Sequence, residues 1–395
     1  MVRILVKLKG VTEITSGLAI GYLVYTFNVV IFATLYPIVE GRKEVIALIP
    51  VMSNLRGDIL GSSASRLNTT LHLGLVTPST RKLIRLELKP TLAIAMITSI
   101  IISLITFTYT RLILGEPLNL EEMVSIGFLS SLLATLMLVP YIALIASEAF
   151  RRGFDPGNIL PTLTTTVGDL MTLPFLILAF ILVIATPLNI TPIVFLTVIS
   201  LSLAFYTATY SYGGLRVRRI LKERFLVLLL VMITHPLTGA LLAKLEEELA
   251  KMGLIHVVTS FIGINGALAS IAGVRLSSIL HMFGTEELTN RFTLITRDII
   301  LSTTPAILLI SLTGYTTQTL IQGAHEVISL EIMLVMVTVA TITHIILGLI
   351  LALATSLSSY KLGLDPDNVA LPIITNVMDL TGIPILYVIG LLVLT

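Results

Sequence analysis

Uninterrupted apolar runs of about 20 residues recur along the whole chain, and they limit most strongly how it can fold. A transmembrane helix needs about 20 successive apolar residues, whereas a membrane β-barrel shows alternating segments of about ten residues. Of the 395 residues, 55% are hydrophobic and 12% are charged, against about 25% charged in soluble domains. The sequence therefore predicts an all-α integral membrane protein without a separate soluble domain.

The apolar runs predict about eleven transmembrane helices, of which the second is unusually polar. Their expected ranges are 14–36, 45–71, 91–113, 123–149, 158–185, 191–212, 225–244, 254–280, 299–321, 331–358 and 368–395.

One stretch of the chain occurs twice. Residues 153–174, GFDPGNILPTLTTTVGDLMTLP, align without a gap with residues 363–384, GLDPDNVALPIITNVMDLTGIP, at a constant offset of 210. The second predicted helix also recurs, at an offset of 209 that places Gly266 on Gly57 and Arg275 on Arg66. Because two features recur in each half, we interpret the chain as two five-helix repeats.

The sixth predicted helix sets the relative orientation of the repeats. Two five-helix units in tandem would be inverted in the membrane, and one extra helix between them restores a parallel arrangement about an axis along the membrane normal. The expected division is a basic N-terminal cytoplasmic segment at 1–12, a first repeat at 13–185, a linking helix with a basic cytoplasmic loop at 186–222, and a second repeat at 223–395. Since one chain holds both repeats, we expect a monomer.

The distribution of basic residues predicts the orientation of the chain. With the N-terminus in the cytoplasm, 17 of the 25 Lys and Arg residues fall in inside segments and 5 in outside segments. Positive residues concentrate on the cytoplasmic side of membrane proteins. The sequence thus predicts a multi-pass cell-membrane protein with a cytoplasmic N-terminus and an outside C-terminus.

Each copy of the fifth helix carries one carboxylate inside its apolar run, Asp169 in the first and Asp379 in the second. A carboxylate at membrane depth is costly and usually functional. The polar residues on the same face are Thr165 and Thr166 in the first copy, and Thr375 and Asn376 in the second. Oxygen-rich faces of this kind suit hard cations such as Mg²⁺ or Ca²⁺.

The second helix adds further polar groups within a predicted span, Asn54 and Asp58. In the second repeat Ala267 replaces Asp58, and Asn265 stands where Arg56 stands. Any site that uses this helix is therefore asymmetric, and we include Asn54, Asp58 and Asn265 among its candidate ligands.

Structural roles compete with ion binding for these residues. Asp169 and Asp379 could pair with Arg66 or Arg275 or be protonated, and Asp58 could pair with Arg66 two turns further along the helix. His235 and His344 have no carboxylate at metal-ligand spacing in the sequence, so packing roles are expected for both. The chain has no cysteine, which gives a zinc or copper centre little support.

The duplicated residues resemble the membrane domain of MgtE-type magnesium channels. The matching residues are Asp155-Pro156, Pro161, Thr165-Thr166 and Asp169, then Asp365-Pro366, Pro372, Thr375 and Asp379. The stretch from Pro50 is similar to the solute-carrier relatives that fuse two such domains in one chain. The resemblance implies a divalent-cation pathway with the fifth-helix carboxylates on the two-fold axis. It departs at Asp58, where the family usually has Asn.

We therefore expect divalent-cation transport, with Mg²⁺ preferred, through a pathway between the repeats where paired carboxylates bind a largely hydrated ion. The expected partners are divalent cations and the lipid bilayer, with no nucleic acid, no resident cofactor and no enzymatic activity. A proton- or sodium-coupled carrier using the same carboxylates is the alternative. An intramembrane aspartyl protease would need a GxGD-type motif, which Thr166 and the pair Thr375-Asn376 interrupt.

Overall fold

The computed structural model describes residues 9–21, 23, 38, 43–114, 119–185, 191–322 and 328–394, and it is helical almost throughout these ranges. Within these ranges, eleven helices follow one another. They are α1 (9–21), α2 (Lys43–His72), α3 (Thr80–Leu114), α4 (Leu120–Arg151), α5 (Pro156–Ile184), α6 (Thr191–Tyr212), α7 (Gly214–Lys251), α8 (Ile255–Phe283), α9 (Leu288–Gln322), α10 (Leu330–Lys361) and α11 (Pro366–Leu394).

The helix ends follow the predicted ranges closely, with three exceptions. Helices α3, α7 and α9 each begin 11 residues before the predicted start. Their first turns combine basic and apolar residues, as in the sequence TRKLIRLELKP of α3. Hydropathy marks only the part of a helix that crosses the membrane, so it misses such amphipathic extensions. Of the predicted helix at 14–36, most lies outside the described residues.

Eight described helices are long and apolar enough to cross a membrane, namely α3 to α6 and α8 to α11. The polar helix α2 is not among them, because Arg56, Asp58 and Arg66 interrupt its apolar character. It packs against α3, α4, α5, α8 and α11, and all three of these charged side chains are buried. Charged residues in a membrane protein are tolerated where other helices shield them from lipid.

The first helix of each repeat also packs into the hydrophobic core of the other repeat. Ile14 and Leu18 of α1 belong to the hydrophobic core of the second repeat. Leu221 and Leu228 of α7 belong to a hydrophobic core formed with α2 and α3 of the first repeat. The first helices therefore connect the two cores, and α7 lies against α2.

The repeats run in the same direction, as the contacts between α2 and α8 show. Near the ends of these helices, Asn68 Nδ2 donates to Ser278 Oγ at 3.0 Å, and Thr69 Oγ1 lies 3.1 Å from the same atom. Equivalent helices thus reach the same face of the molecule. The parallel arrangement predicted from the extra sixth helix is confirmed.

The duplicated Asp-Pro pairs begin the fifth helix of each repeat. Asp155 is the N-cap of α5, where its carboxylate accepts a hydrogen bond from the Gly157 backbone at 2.8 Å, and proline is favoured at the first helical position because its φ is already helical. Asp365 accepts in the same way from the Asp367 backbone at 3.0 Å. These aspartates are accounted for by helix capping.

A histidine side chain contacts each of these N-cap carboxylates. His72 Nε2 lies 3.1 Å from Asp155 Oδ1, and His281 Nε2 lies 3.1 Å from Asp365 Oδ1. Burial raises the pKa of Asp365, but the hydrogen bond and charge of His281 and the charge of Arg66 outweigh it, so its pKa lies below the ordinary value. Both N-caps are therefore stabilised in their ionised form.

Candidate functional site

Asp58 joins the two repeats at the centre of the molecule. It lies on α2, is 2% exposed, and accepts a hydrogen bond from Thr375 Oγ1 of α11 at 2.9 Å. Asn376 Nδ2, also on α11, lies 3.1 Å from Asp58 Oδ1 and 2.9 Å from Oδ2. Three residues predicted for the site thus meet across the interface of the repeats.

His235 of α7 lies beside Asp58, with Nε2 at 3.3 Å from Oδ2. The prediction of a simple packing role for His235 is therefore wrong. The two residues lie far apart in the sequence, and only the packing of α7 against α2 brings the imidazole to the carboxylate. No sequence pattern within either helix indicates this contact.

Asp169 of α5 is bound to α2 as well. Ser53 donates a hydrogen bond to its carboxylate, and the positive charge of Arg56 acts on it. Arg56 is buried, donates to Ser130 of α4 and lies 6.0 Å from the centroid of the Phe175 ring. Sequence reasoning missed Ser53 and Arg56 as neighbours of Asp169, although both lie within two turns of Asp58 on the polar helix.

Asp379 of α11 completes a cluster of three carboxylates. The negative charges of Asp58 and Asp169 both act on it. When all three carboxylates are ionised and the imidazole of His235 is neutral, the positive charge of Arg56 balances one of them. Two formal negative charges then remain. Like charges that share a low-dielectric site resist full ionisation unless a cation lies between them.

The arginines proposed as partners of these aspartates are engaged elsewhere. Arg66 Nε donates to Glu87 at 3.0 Å, and Arg275 Nη1 donates to Asp298 at 3.1 Å. The predicted alternative in which Asp58 pairs with Arg66 is therefore wrong. These equivalent ion pairs of the two repeats leave the central carboxylates to other partners.

The remaining predicted ligands have different contacts. Asn54 is half-buried on α2, one turn before Asp58. Asn265 of α8 is fully buried, and neither polar atom of its side chain has a hydrogen-bond partner among the described residues. The Thr166 hydroxyl donates to the Thr162 carbonyl of its own helix at 2.9 Å. The side chain of Thr165 lies outside what the structure describes.

Small residues of α2, α5 and α8 border open space. A Cβ atom added at Gly57, Gly168 or Gly266 would meet no other heavy atom within 4 Å beyond its own helix. Gly168 directly precedes Asp169, and Gly57 directly precedes Asp58. At Gly61, in contrast, an added Cβ would lie 2.8 Å from Leu371. Open space thus lies beside the glycines that precede Asp58 and Asp169, whereas helices pack closely one turn beyond Gly57.

A second group of potential metal ligands lies at the start of α11. Ligand atoms of His281, Asp365 and Asp367 lie within 4.8 Å of one another. All three are already bonded, since Asp367 accepts from Ser65 at 2.7 Å and Asp365 caps the helix. This group is accounted for by the structure of the helix start.

Comparisons with known proteins agree with this architecture. The family model described as "MgtE: Divalent cation transporter" matches residues 49–179 and 258–389. Solute carrier family 41 member 3 of Rattus norvegicus is 24% identical over 409 residues, covering 98% of this chain and 85% of the relative. The Mus musculus protein of the same name is also 24% identical, covering 89% of this chain and 75% of the relative. No solved structure matches.

The two matched regions contain Asp58, Asp169 and Asp379 and together cover more than half of the residues. The chain is thus a multi-pass membrane protein that belongs to the MgtE family of divalent cation transporters.

Proposed function

We propose that this protein conducts Mg²⁺ across the cell membrane along the interface of its two repeats. The observation that carries the proposal is the convergence of Asp58, Asp169 and Asp379 from both repeats, with Asp58 buried and the other two carboxylates partly buried. The two formal negative charges left beside Arg56 are matched by one divalent cation. The family supports transport of divalent cations in general, and the oxygen ligands favour Mg²⁺.

The cation is held largely through its own water in this proposal. Mg²⁺ dehydrates reluctantly and usually keeps several waters, and the space beside Gly57, Gly168 and Gly266 gives room for them. Asp169 and Asp379 then act as the main electrostatic partners, while Thr375 and Asn376 orient Asp58 by hydrogen bonds. We also propose that the N-terminus lies in the cytoplasm, that the C-terminus lies outside, and that the protein functions as a monomer.

Flux of Mg²⁺ into proteoliposomes tests the proposal. We expect flux with the wild-type protein, and a loss of at least about tenfold in Asp169→Asn and in Asp379→Asn, because a tenfold change in rate corresponds to only about 1.4 kcal/mol of barrier. The control is Glu148→Gln, which removes an exposed carboxylate paired with Arg152 and is expected to leave flux unchanged.

The outcome that contradicts the proposal is full flux in both aspartate variants. A loss of flux supports the proposal only if the variant has the same unfolding temperature in detergent as the wild-type protein. A proton-sensitive dye and replacement of external sodium in the same vesicles separate passive movement from proton- or sodium-coupled transport.

A further inference from the structure

A buried imidazole meets a buried carboxylate where His235 of α7 lies against Asp58 of α2. We propose that these two side chains form a direct coordination site for a borderline divalent cation, such as Co²⁺, Ni²⁺ or Zn²⁺. The site adjoins the pathway for hydrated Mg²⁺. The inference therefore rests on the proposed function and refines it, because it adds a nitrogen ligand to an otherwise oxygen-lined pathway.

The separation of the two groups fits shared coordination of one ion. His235 Nε2 lies 3.3 Å from Asp58 Oδ2, and the two side chains are 1% and 2% exposed. Two ligand atoms at about 2.1 Å from one ion, with angles between octahedral and tetrahedral, lie about 3.0 to 3.4 Å apart. A metal ion can thus bridge the pair with little movement of either side chain.

A ring nitrogen of His235 is available to coordinate such an ion. Neither ring nitrogen of His235 makes a hydrogen bond within the described part of the chain, because the 3.3 Å contact between Nε2 and Asp58 Oδ2 does not have hydrogen-bond geometry. Buried polar atoms in native proteins nearly always have a partner, so an exception calls for one. The nitrogen that faces Asp58 is the atom that would bind the metal.

Three other histidines have side chains that the structure describes, and their surroundings are different. His72 and His281 are partly exposed and hold the capping carboxylates of the fifth helices. His344 of α10 is buried, but its Nε2 bonds to the backbone oxygen of Met378 at 3.0 Å. His235 differs from these three, because it combines burial, a carboxylate neighbour and ring nitrogens that make no hydrogen bond.

The surroundings of Asp58 hold the carboxylate in place for coordination. Thr375 and Asn376 donate to it, and Asn376 Oδ1 in turn accepts from Thr234, the neighbour of His235, at 3.2 Å. Hydrogen bonds to a ligating carboxylate orient it and tune the metal. Asp58 Oδ2 has one of these donors, which leaves a lone pair for an ion.

An imidazole ligand changes which ions bind. Mg²⁺ takes oxygen ligands and retains water, whereas imidazole suits Co²⁺, Ni²⁺ and Zn²⁺, whose affinities rise along the first transition series to Cu²⁺. The site occurs once per chain, because Ala267 stands at the position equivalent to Asp58. Its occupancy is expected to be one ion per protein.

Equilibrium binding of Co²⁺ to the purified protein in detergent tests the proposal, read from the visible absorption bands of the bound ion. We expect His235→Gln to weaken Co²⁺ binding by about 10- to 100-fold, while Mg²⁺ binding changes less than about threefold. His344→Gln is the matched control, because it removes another buried imidazole that has no carboxylate neighbour. It is expected to leave the Co²⁺ spectrum and affinity unchanged.

The proposal is overturned if His235→Gln retains the wild-type Co²⁺ affinity and spectrum, or if both histidine variants weaken binding equally. X-ray absorption of the Co²⁺-loaded wild-type protein gives an answer that does not depend on a variant folding, since an all-oxygen shell without imidazole scattering also overturns it. Neither readout measures transport. Failure of the Mg²⁺ flux experiment is therefore distinguishable from failure of this site.

Discussion

Asn376 of α11 donates to both carboxylate oxygens of Asp58 on α2, at 3.1 and 2.9 Å, and so ties one repeat to the other inside the membrane. Hydrogen bonds to a charged acceptor contribute about 1.5–3 kcal/mol. The contact has no duplicate, because Ala267 replaces Asp58 in the second repeat. The interface of the repeats is consequently asymmetric at the level of the candidate site.

A double-mutant cycle measures this contact. Asp58→Ala and Asn376→Ala are each expected to lower the free energy of unfolding, and their coupling energy is expected to be about 1–3 kcal/mol. Reversible unfolding in mixed micelles provides the free energies. Additive effects, with a coupling energy near zero, would show that the two side chains do not interact.

The glycines of α2 and α8 are expected to respond oppositely to an added methyl group. Gly61→Ala would place a Cβ 2.8 Å from the Cδ2 methyl of Leu371, and because Leu371 is buried and has little room to move, the change should destabilise the protein by about 1–3 kcal/mol. Gly266→Ala meets no atom within 4 Å and should be neutral or stabilising by up to about 1 kcal/mol, because alanine favours a helix over glycine. Thermal unfolding of both variants checks the difference in sign, and equal destabilisation would contradict it.

The parallel direction of the repeats is open to a crosslinking test, because the natural chain has no cysteine. The Thr69 and Ser278 hydroxyl oxygens lie 3.1 Å apart, within the reach of a disulfide between cysteines at those positions. We expect the variant Thr69→Cys with Ser278→Cys to form an intramolecular disulfide on mild oxidation. Each single-cysteine variant serves as the control for crosslinks between molecules, and a double variant that stays reduced would contradict the arrangement.

The capped start of α11 predicts a loss of stability in acid. The pKa of Asp365 is below its ordinary value of 3.8 in the folded protein, so the unfolded chain takes up the proton first as the pH falls. Its contribution is therefore complete above about pH 5 and is lost as the pH falls through the folded pKa. Asp365→Asn should flatten the dependence of stability on pH below about pH 5. An unchanged acid-unfolding curve would contradict this role.

The duplicated sequence made the fifth-helix carboxylates predictable. Asp169 and Asp379 stand 210 residues apart in aligned apolar runs, and a carboxylate at equivalent positions of two such runs predicts a shared role, which stays a prediction. The same logic predicted the parallel repeats, because the number of apolar runs fixes the direction of each helix.

Contacts that depend on tertiary packing could not be predicted in this way. The approach of His235 to Asp58 follows from the packing of α7 against α2 of the other repeat, which leaves no local pattern. The predicted pairing of Asp58 with Arg66 was based only on their spacing along α2. In the structure, Arg66 instead donates to Glu87 of α3. Hydropathy also missed the amphipathic first turns of α3, α7 and α9.

The most direct measurement of the central claim is the position of a bound divalent cation. Crystals of the protein grown with Mn²⁺, an anomalous scatterer that accepts the oxygen ligands of Mg²⁺, would locate the ion. We predict an anomalous peak at the interface of the repeats, within reach of Asp169 and Asp379 directly or through one water molecule. A protein that transports Mg²⁺ but binds Mn²⁺ only away from both carboxylates would contradict the account.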